Sequence, residues 1–153
     1  MGVGYVTPWE KATLSTTVGA ASLENPGAAA RRFALQGFFI GVETATGDCA
    51  VRPSIVRTTS ASTGTAVVPA PVDPADAAAN VLGKSNITVN GAAAAVAALL
   101  QRPFNMRGGI NFEAKPGREI LVAATVTLGL ELLTTVLAGA TPPGAGELYH
   151  TEQ

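Results

Sequence analysis

Between residues 120 and 138 the chain alternates. Ile120, Val122, Ala124, Val126, Leu128, Leu130, Leu132, Val136 and Ala138 hold even positions, broken only by Thr134, while Thr125, Thr127, Gly129, Glu131 and Thr135 hold odd ones. A two-residue period puts one set of side chains on a buried face and the other on an exposed face, which is the geometry of a strand. It predicts Leu130, Leu132 and Val136 in a core and Glu131 towards water. Just upstream, Lys115-Pro116-Gly117-Arg118 reads as a turn, because proline presets the first turn angle and glycine accepts a positive φ. Residues 120–140 are also long and apolar enough to span a bilayer as a helix, with Thr127, Glu131, Thr134 and Thr135 sharing one side. Glu131 near the middle, the Thr and Val content and Gly129 weigh against that, so no membrane span is expected.

Similar short segments recur at roughly ten-residue spacing with Gly and Pro between them: 12–20, 31–43, 49–58, 66–68, 86–89, 108–112, 119–125, 129–137 and 147–151. Such spacing predicts an all-β chain, a single jelly roll or antiparallel β-sandwich. In 31–43, Phe33, Leu35 and Phe39 fall on one face with Phe38, Ile40 and Val42 behind, and Gly37 and Gly41 mark a bend or bulge. Pro53 marks an edge or bulge in its strand. Asn90-Gly91 is a favoured hairpin pair. Residues 92–101 are helix by alanine propensity and strand by brevity and by continuation into Arg102-Pro103-Phe104; the strand reading is taken from Val96 onward. One short helix is expected within a long Pro-punctuated connection. There Asp73-Pro74-Ala75-Asp76 supplies an Asp cap, Pro at the first position and an acid at the third, with turns running to Leu82. Residues 1–11 hold Tyr5, Val6 and Trp9 among glycines and Pro8, and read as an N-terminal arm ahead of a single domain, 12–153.

The chain has 153 residues, 47% hydrophobic and 14% charged, against about 25% charged in a typical soluble domain. Charge keeps monomers apart, so a charge-poor surface points to one covered by partners. A net charge of −1 gives no electrostatic basis for nucleic-acid binding, and 5% aromatics give no stacking platform for single strands. With one cysteine, Cys49, no intrachain disulfide forms, which favours a reducing compartment. The start MGVGYVTPWEK lacks the basic and apolar regions of a secretory signal, and Val6 stands where a myristoylation motif needs Ser or Thr.

Reactive residue types are scarce. His150, the one histidine, lies three residues from the end and reads as a surface residue; with a single cysteine it cannot build a Cys/His zinc set. Cys49 reads as packed rather than nucleophilic. The carboxylates are spread singly, and no nucleophile elbow, phosphate loop or dinucleotide fingerprint occurs. Asn86-Ile87-Thr88 is a glycosylation sequon without a secretion signal, and Arg107-Gly108-Gly109 reads as a turn. No catalytic residue, cofactor or metal site is expected, and the chain does not read as an enzyme. Arg31-Arg32 reads as two solvated residues opening a strand, with a grip on an acidic partner surface as the functional alternative.

The stretch RRFALQGFFIGVETATGDCAVRPSIVRTTSASTGTAVVPAPVDPADAAA, with FEAKPGREILVAA, GLELLTTVLAG and ELYHTEQ, resembles phage virion proteins: small jelly-roll capsid proteins of the decoration, or cement, type. The resemblance covers residues 31–152, and its motifs are structural turns. It implies a homotrimer on the outer surface of the capsid, assembled in the host cytoplasm. The partners it implies are the major capsid protein and other copies of the chain, with no nucleic acid and no membrane. The runner-up is a trimeric receptor- or glycan-binding head spike or tail-fibre module. Under either, Tyr5, Val6 and Trp9 of the arm, and Arg31 and Arg32, are the expected capsid or subunit contacts, since large aromatics anchor interfaces.

Overall fold

The computed structural model describes residues 2–15, 17–26, 31–41, 49–93, 98–124, 129–138 and 141–153. Its strands are β1 (Val3–Lys11), β2 (Ala21–Glu24), β3 (Phe33–Gly41), β4 (Ala50–Thr58), β5 (Thr63–Val67), β6 (Ala70–Pro71), β7 (Leu82–Val89), β8 (Leu100–Gln101), β9 (Phe104–Asn105), β10 (Ile110–Glu113), β11 (Ile120–Val122), β12 (Gly129–Ala138) and β13 (Gly144–Glu152). They form two antiparallel sheets packed against each other, so the chain is an all-β sandwich.

The strand order is that of a jelly roll. The first sheet runs β10-β3-β13-β1-β6, with β11 also on β3; the second runs β5-β7-β2-β12-β4-β8, with β9 also on β4. β10 and β11 follow one another along β3, and β8 and β9 along β4, so each pair counts as one body strand. Eight body strands then lie in the order first-eighth-third-sixth in one sheet and second-seventh-fourth-fifth in the other, the double Greek key of jelly rolls. The remaining strands, β5 to β7, form an insertion that widens both sheets: β7 and β5 beyond β2, β6 beyond β1.

Inward residues of both sheets make one core. Phe33, Leu35, Phe38, Ile40 and Leu148 come from the first sheet, and Leu23, Val51, Ile55, Leu130 and Leu132 from the second. Leu130 and Leu132 are core as expected, and Val136 packs against it half-buried. The alternating row of 120–138 is two strands, matching the expected segments 119–125 and 129–137: β11 belongs to the first sheet and β12 to the second, and residues 125–128 between them lie outside the described residues. Among the described residues no helix is long and apolar enough to cross a membrane.

Several expectations are corrected. The arm is strand β1, paired along its whole length with β13 from Val3↔Glu152 to Lys11↔Gly144, so residues 3–11 belong to the domain. Its alternation, with Tyr5, Thr7, Trp9 and Lys11 inward, supplies a period-two pattern that the glycines and proline obscure. The helix at 74–82 does not form. Asp73 accepts from Ala75 N–H through Oδ1, 2.9 Å, and from Asp76 N–H through its carbonyl, 3.0 Å, and the helix stops after that turn. Leu82 instead pairs with Glu24 at the start of β7. The described residues of 12–20 form no strand, although Leu14 and Ala20 reach the core, and the strand begins at Ala21; residue 16 lies outside the described residues. Asn90-Gly91 makes no hairpin: Asn90 ties down residues 17–19, accepting from Gly19 N–H and donating to the Thr17 carbonyl. Of the ambiguous 92–101, Ala93 bridges Thr58 and β8 takes 100–101, while 94–97 lie outside the described residues.

Two turn readings match the structure. Arg118 N–H donates to the Lys115 carbonyl at 2.8 Å and Gly117 has φ 79°, the geometry of a Pro-Gly turn. A bulge falls beside Gly37: Tyr149 pairs with Gly37 and His150 with Leu35, leaving Gln36 as the extra residue. Pro53 lies inside β4, and its neighbour is broken into β8 and β9 opposite it, where proline has no N–H to give.

Candidate interaction surface

The bulge at Gln36 decides what the outer face of the first sheet presents. One extra residue slips the period by one, so Phe33, Leu35, Phe38 and Ile40 all point inward and Phe39 points out, 41% exposed. Phe39 then aligns in register with Glu147 on β13 and Pro8 on β1. The next rank outward aligns Glu10, Ala145 and Gly41, and the rank on the other side aligns Val6, Tyr149, Gly37 and Glu113. These ranks border a groove of about 770 Å³ lined by Pro8, Glu10, Phe39, Glu147, Tyr149 and the buried Trp9. β6 covers β1 only at Tyr5 and Val6, and beyond it the groove extends over β1 to Thr65 and Val67 of β5 and Ser85 of β7.

Its charge is one-sided. The outward residues of β1, β3, β10 and β13 include Glu10, Glu113 and Glu147 and neither Lys nor Arg. Lys11, the cation at the end of β1, points inward, where Nζ donates to the carbonyls of Gly19 and Ile87, 2.6 Å each. Tyr149 Oη donates to Glu147 Oε2. That hydrogen bond, then burial and the charges of Glu147 and Glu113, push the Tyr149 phenol up. Trp9 is 3% exposed and its Nε1–H has no acceptor among the described residues.

The expected contact residues divide accordingly. Tyr5 and Trp9 are buried in their own domain, Tyr5 stacking on His150 with centroids 5.3 Å apart and donating to the Ala77 carbonyl, so neither is a projecting anchor. Val6 is half-buried on the outer face of the first sheet. Arg31 and Arg32 are exposed just ahead of β3, their backbone held by Asn25 Oδ1 on Arg31 N–H and by Gln153 N–H on the Arg32 carbonyl. Phe39, Glu147 and Tyr149 escape sequence reading because only the bulge and the cross-strand register bring them together. The signal was Gly37, which marked the bulge but not the side to which Phe39 would turn.

The second sheet's outer face is covered by loops over buried acids. Glu24 Oε1 accepts from the Ser22 and Ser62 hydroxyls and Ser62 N–H, and Oε2 lies 2.8 Å from Lys84 Nζ. Burial pushes this carboxyl up, but the Lys84 and Ser62 bonds outweigh it and hold it low. Glu131, expected in water, is buried; Oε2 accepts from Gly91 N–H, and burial pushes the carboxyl up to about 7. His150, expected on the surface, is 1% exposed, and burial lowers it to about 4. Cys49 is in the core, where burial pushes its thiol up. Among the described residues no group of three or more His, Cys, Asp and Glu side chains is placed to hold a metal ion. No family model, curated protein or solved structure matches the chain.

Proposed function

We propose that the chain is a structural virion protein, a decoration or cement protein that binds the major capsid lattice from outside as a homotrimer and stabilises the shell. The observation that carries this reading is where the resembling motif falls. The TGTAV and P-x-P-x-DP elements are β5, β6 and the turn after them, within the β5–β7 insertion on the jelly-roll body, and that insertion exposes Val68, Val72 and Leu82. Large apolar side chains exposed on one insertion fit burial against a partner. A cement protein performs no reaction; it binds the assembled shell in preference to its free subunits and so stabilises it by mass action, and many weak contacts add through multivalency. The second reading, a trimeric receptor- or glycan-binding spike or fibre module, draws on Phe39 exposed beside Tyr149 and two carboxylates. Quantitative mass spectrometry of purified particles tests both. Cement requires a copy number comparable to that of the major capsid protein and a spike requires a handful; absence from the particle contradicts both.

A further inference from the structure

We infer that the acidic, aromatic groove on the outer face of the first sheet receives the Arg31-Arg32 pair of a second copy of this chain. The inference rests on the self-association in the reading above and not on the capsid.

The groove's chemistry selects a cation. Glu10 and Glu147 line it, Glu113 stands one rank away, and the strands that build this face offer no outward-facing cation to neutralise them. Phe39 and Tyr149 set rings beside those carboxylates. A guanidinium suits both features, since it forks onto a carboxylate and stacks flat on an aromatic face, whereas an ammonium offers only a point charge. The groove's 770 Å³ is within the size range of built binding sites.

The matching cations are on the same chain but cannot reach. Arg31 and Arg32 precede Phe33 at one end of β3, while the groove gathers round Phe39 and Gly41 at the other. Six residue steps separate Phe33 from Phe39, about 20 Å at 3.3 Å each, which is beyond an arginine side chain. The pair is exposed, and its backbone is tied to Asn25 and Gln153. Donor and acceptor at opposite ends of one strand define a head-to-tail contact, and a head-to-tail contact that closes gives a ring, here the proposed trimer.

Light scattering on the purified full chain tests this without any capsid. Raising salt from about 0.1 M to about 1 M cuts the screening length from about 10 Å to about 3 Å and should dissociate the oligomer. Glu10→Arg with Glu147→Arg, and separately Arg31→Glu with Arg32→Glu, should each weaken self-association at least about tenfold, and all four together should restore it. Circular dichroism identifies variants that fail to fold, for which Glu147→Gln and Phe39→Ala replace the reversals and should weaken association by a smaller factor. A chain that is monomeric throughout, reversals that leave the oligomer unchanged, or a four-fold variant that folds yet stays apart overturns the inference. So does saturable binding of neutral cello-, malto- or chito-hexaose that Phe39→Ala abolishes while the oligomer is indifferent to charge reversal. Self-association through the groove in a protein missing from particles would sink the virion reading alone.

Discussion

His150 and Glu131 are the two buried groups whose titration the fold moves furthest, and they pull stability in opposite directions. His150 stacks on Tyr5 and meets Phe33 edge-on, and neither ring nitrogen has a hydrogen-bond partner among the described residues. Nε2 lies 3.9 Å from Glu152 Oε1, too far for a hydrogen bond, and that oxygen already accepts from Asn80 and Val81 N–H. Its pKa falls from 6.5 to about 4 on folding. Between those values the unfolded chain holds the proton and the fold does not, so the contribution is complete above 6.5 and is lost as pH falls towards 4. At about 1.4 kcal/mol per pH unit this amounts to about 3 kcal/mol. Glu131 is the reverse case. Its carboxyl rises from 4.5 to about 7, the fold holds the extra proton, and the contribution is complete below 4.5 and lost as pH rises through 7. The two slopes oppose each other across their shared window. Urea midpoints measured from pH 4 to 7 should therefore change least in the wild type. Relative to it, His150→Leu should lose stability as pH rises and Glu131→Gln should gain it, and parallel profiles for all three proteins would contradict the assignment. Neither burial was legible in the sequence. A histidine three residues from the end and a glutamate on the polar side of a strand both read as solvated. They are buried because β13 is an interior strand and because loops 17–19 and 90–91 fold over β12.

At the scale of elements, pattern was legible where a strand keeps its period and illegible where it slips. β12 keeps its register with β4 from Gly129 to Val136, so Leu130 and Leu132 were identifiable as core residues. β3 carries a bulge that no local rule places to the residue, and that single slip moves Phe39 from the expected core face to the outer one. The cap at Asp73 was readable and correct in its first turn, yet a cap without an apolar helical stripe cannot hold the turns that follow. Periodicity also cannot tell which sheet a strand joins: the segments 119–125 and 129–137 share one alternating row although β11 and β12 lie in different sheets. β12 gives the sharpest test of this account. Leu132 is 1% exposed and pairs with Ala21 and Ile55, whereas Leu137, five residues on, is 48% exposed at a break in register. Leu132→Asp buries an unpaired charge, at a cost of several kcal/mol against a typical stability of about 5–15 kcal/mol, and should abolish the thermal transition. Leu137→Asp should stay within about 0.5 kcal/mol of wild type. Equal melting of the two variants would place the core on the wrong face.

At the scale of the molecule, the first and last strands close the fold on each other. β1 sits between β13 and β6, pairs with β13 over nine residues, and turns Tyr5, Thr7, Trp9 and Lys11 into the interior. Pairing between the ends of the chain has the highest possible sequence separation, so the first sheet completes only after β13 has been made, and folding is expected to be slow. Removal of residues 1–11 therefore removes an interior strand rather than a projection. Truncating a buried Trp alone costs about 3–5 kcal/mol, and Tyr5 and the whole β1–β13 ladder go with it, so the loss approaches the entire stability of a domain. The truncated chain should lack a cooperative melting transition and expose Leu148 and His150, which a dye that binds apolar surface reports. The separation of the deleted piece from the remainder supplies the decisive arm: a synthetic peptide of residues 1–11, added in trans, should pair with β13 and restore the transition in a concentration-dependent way. A peptide with Trp9→Ala should do so only at much higher concentration. A truncated chain that melts like the intact one would mean that β1 contributes no core, and the segment would then be the projecting arm that its glycines and proline first suggest.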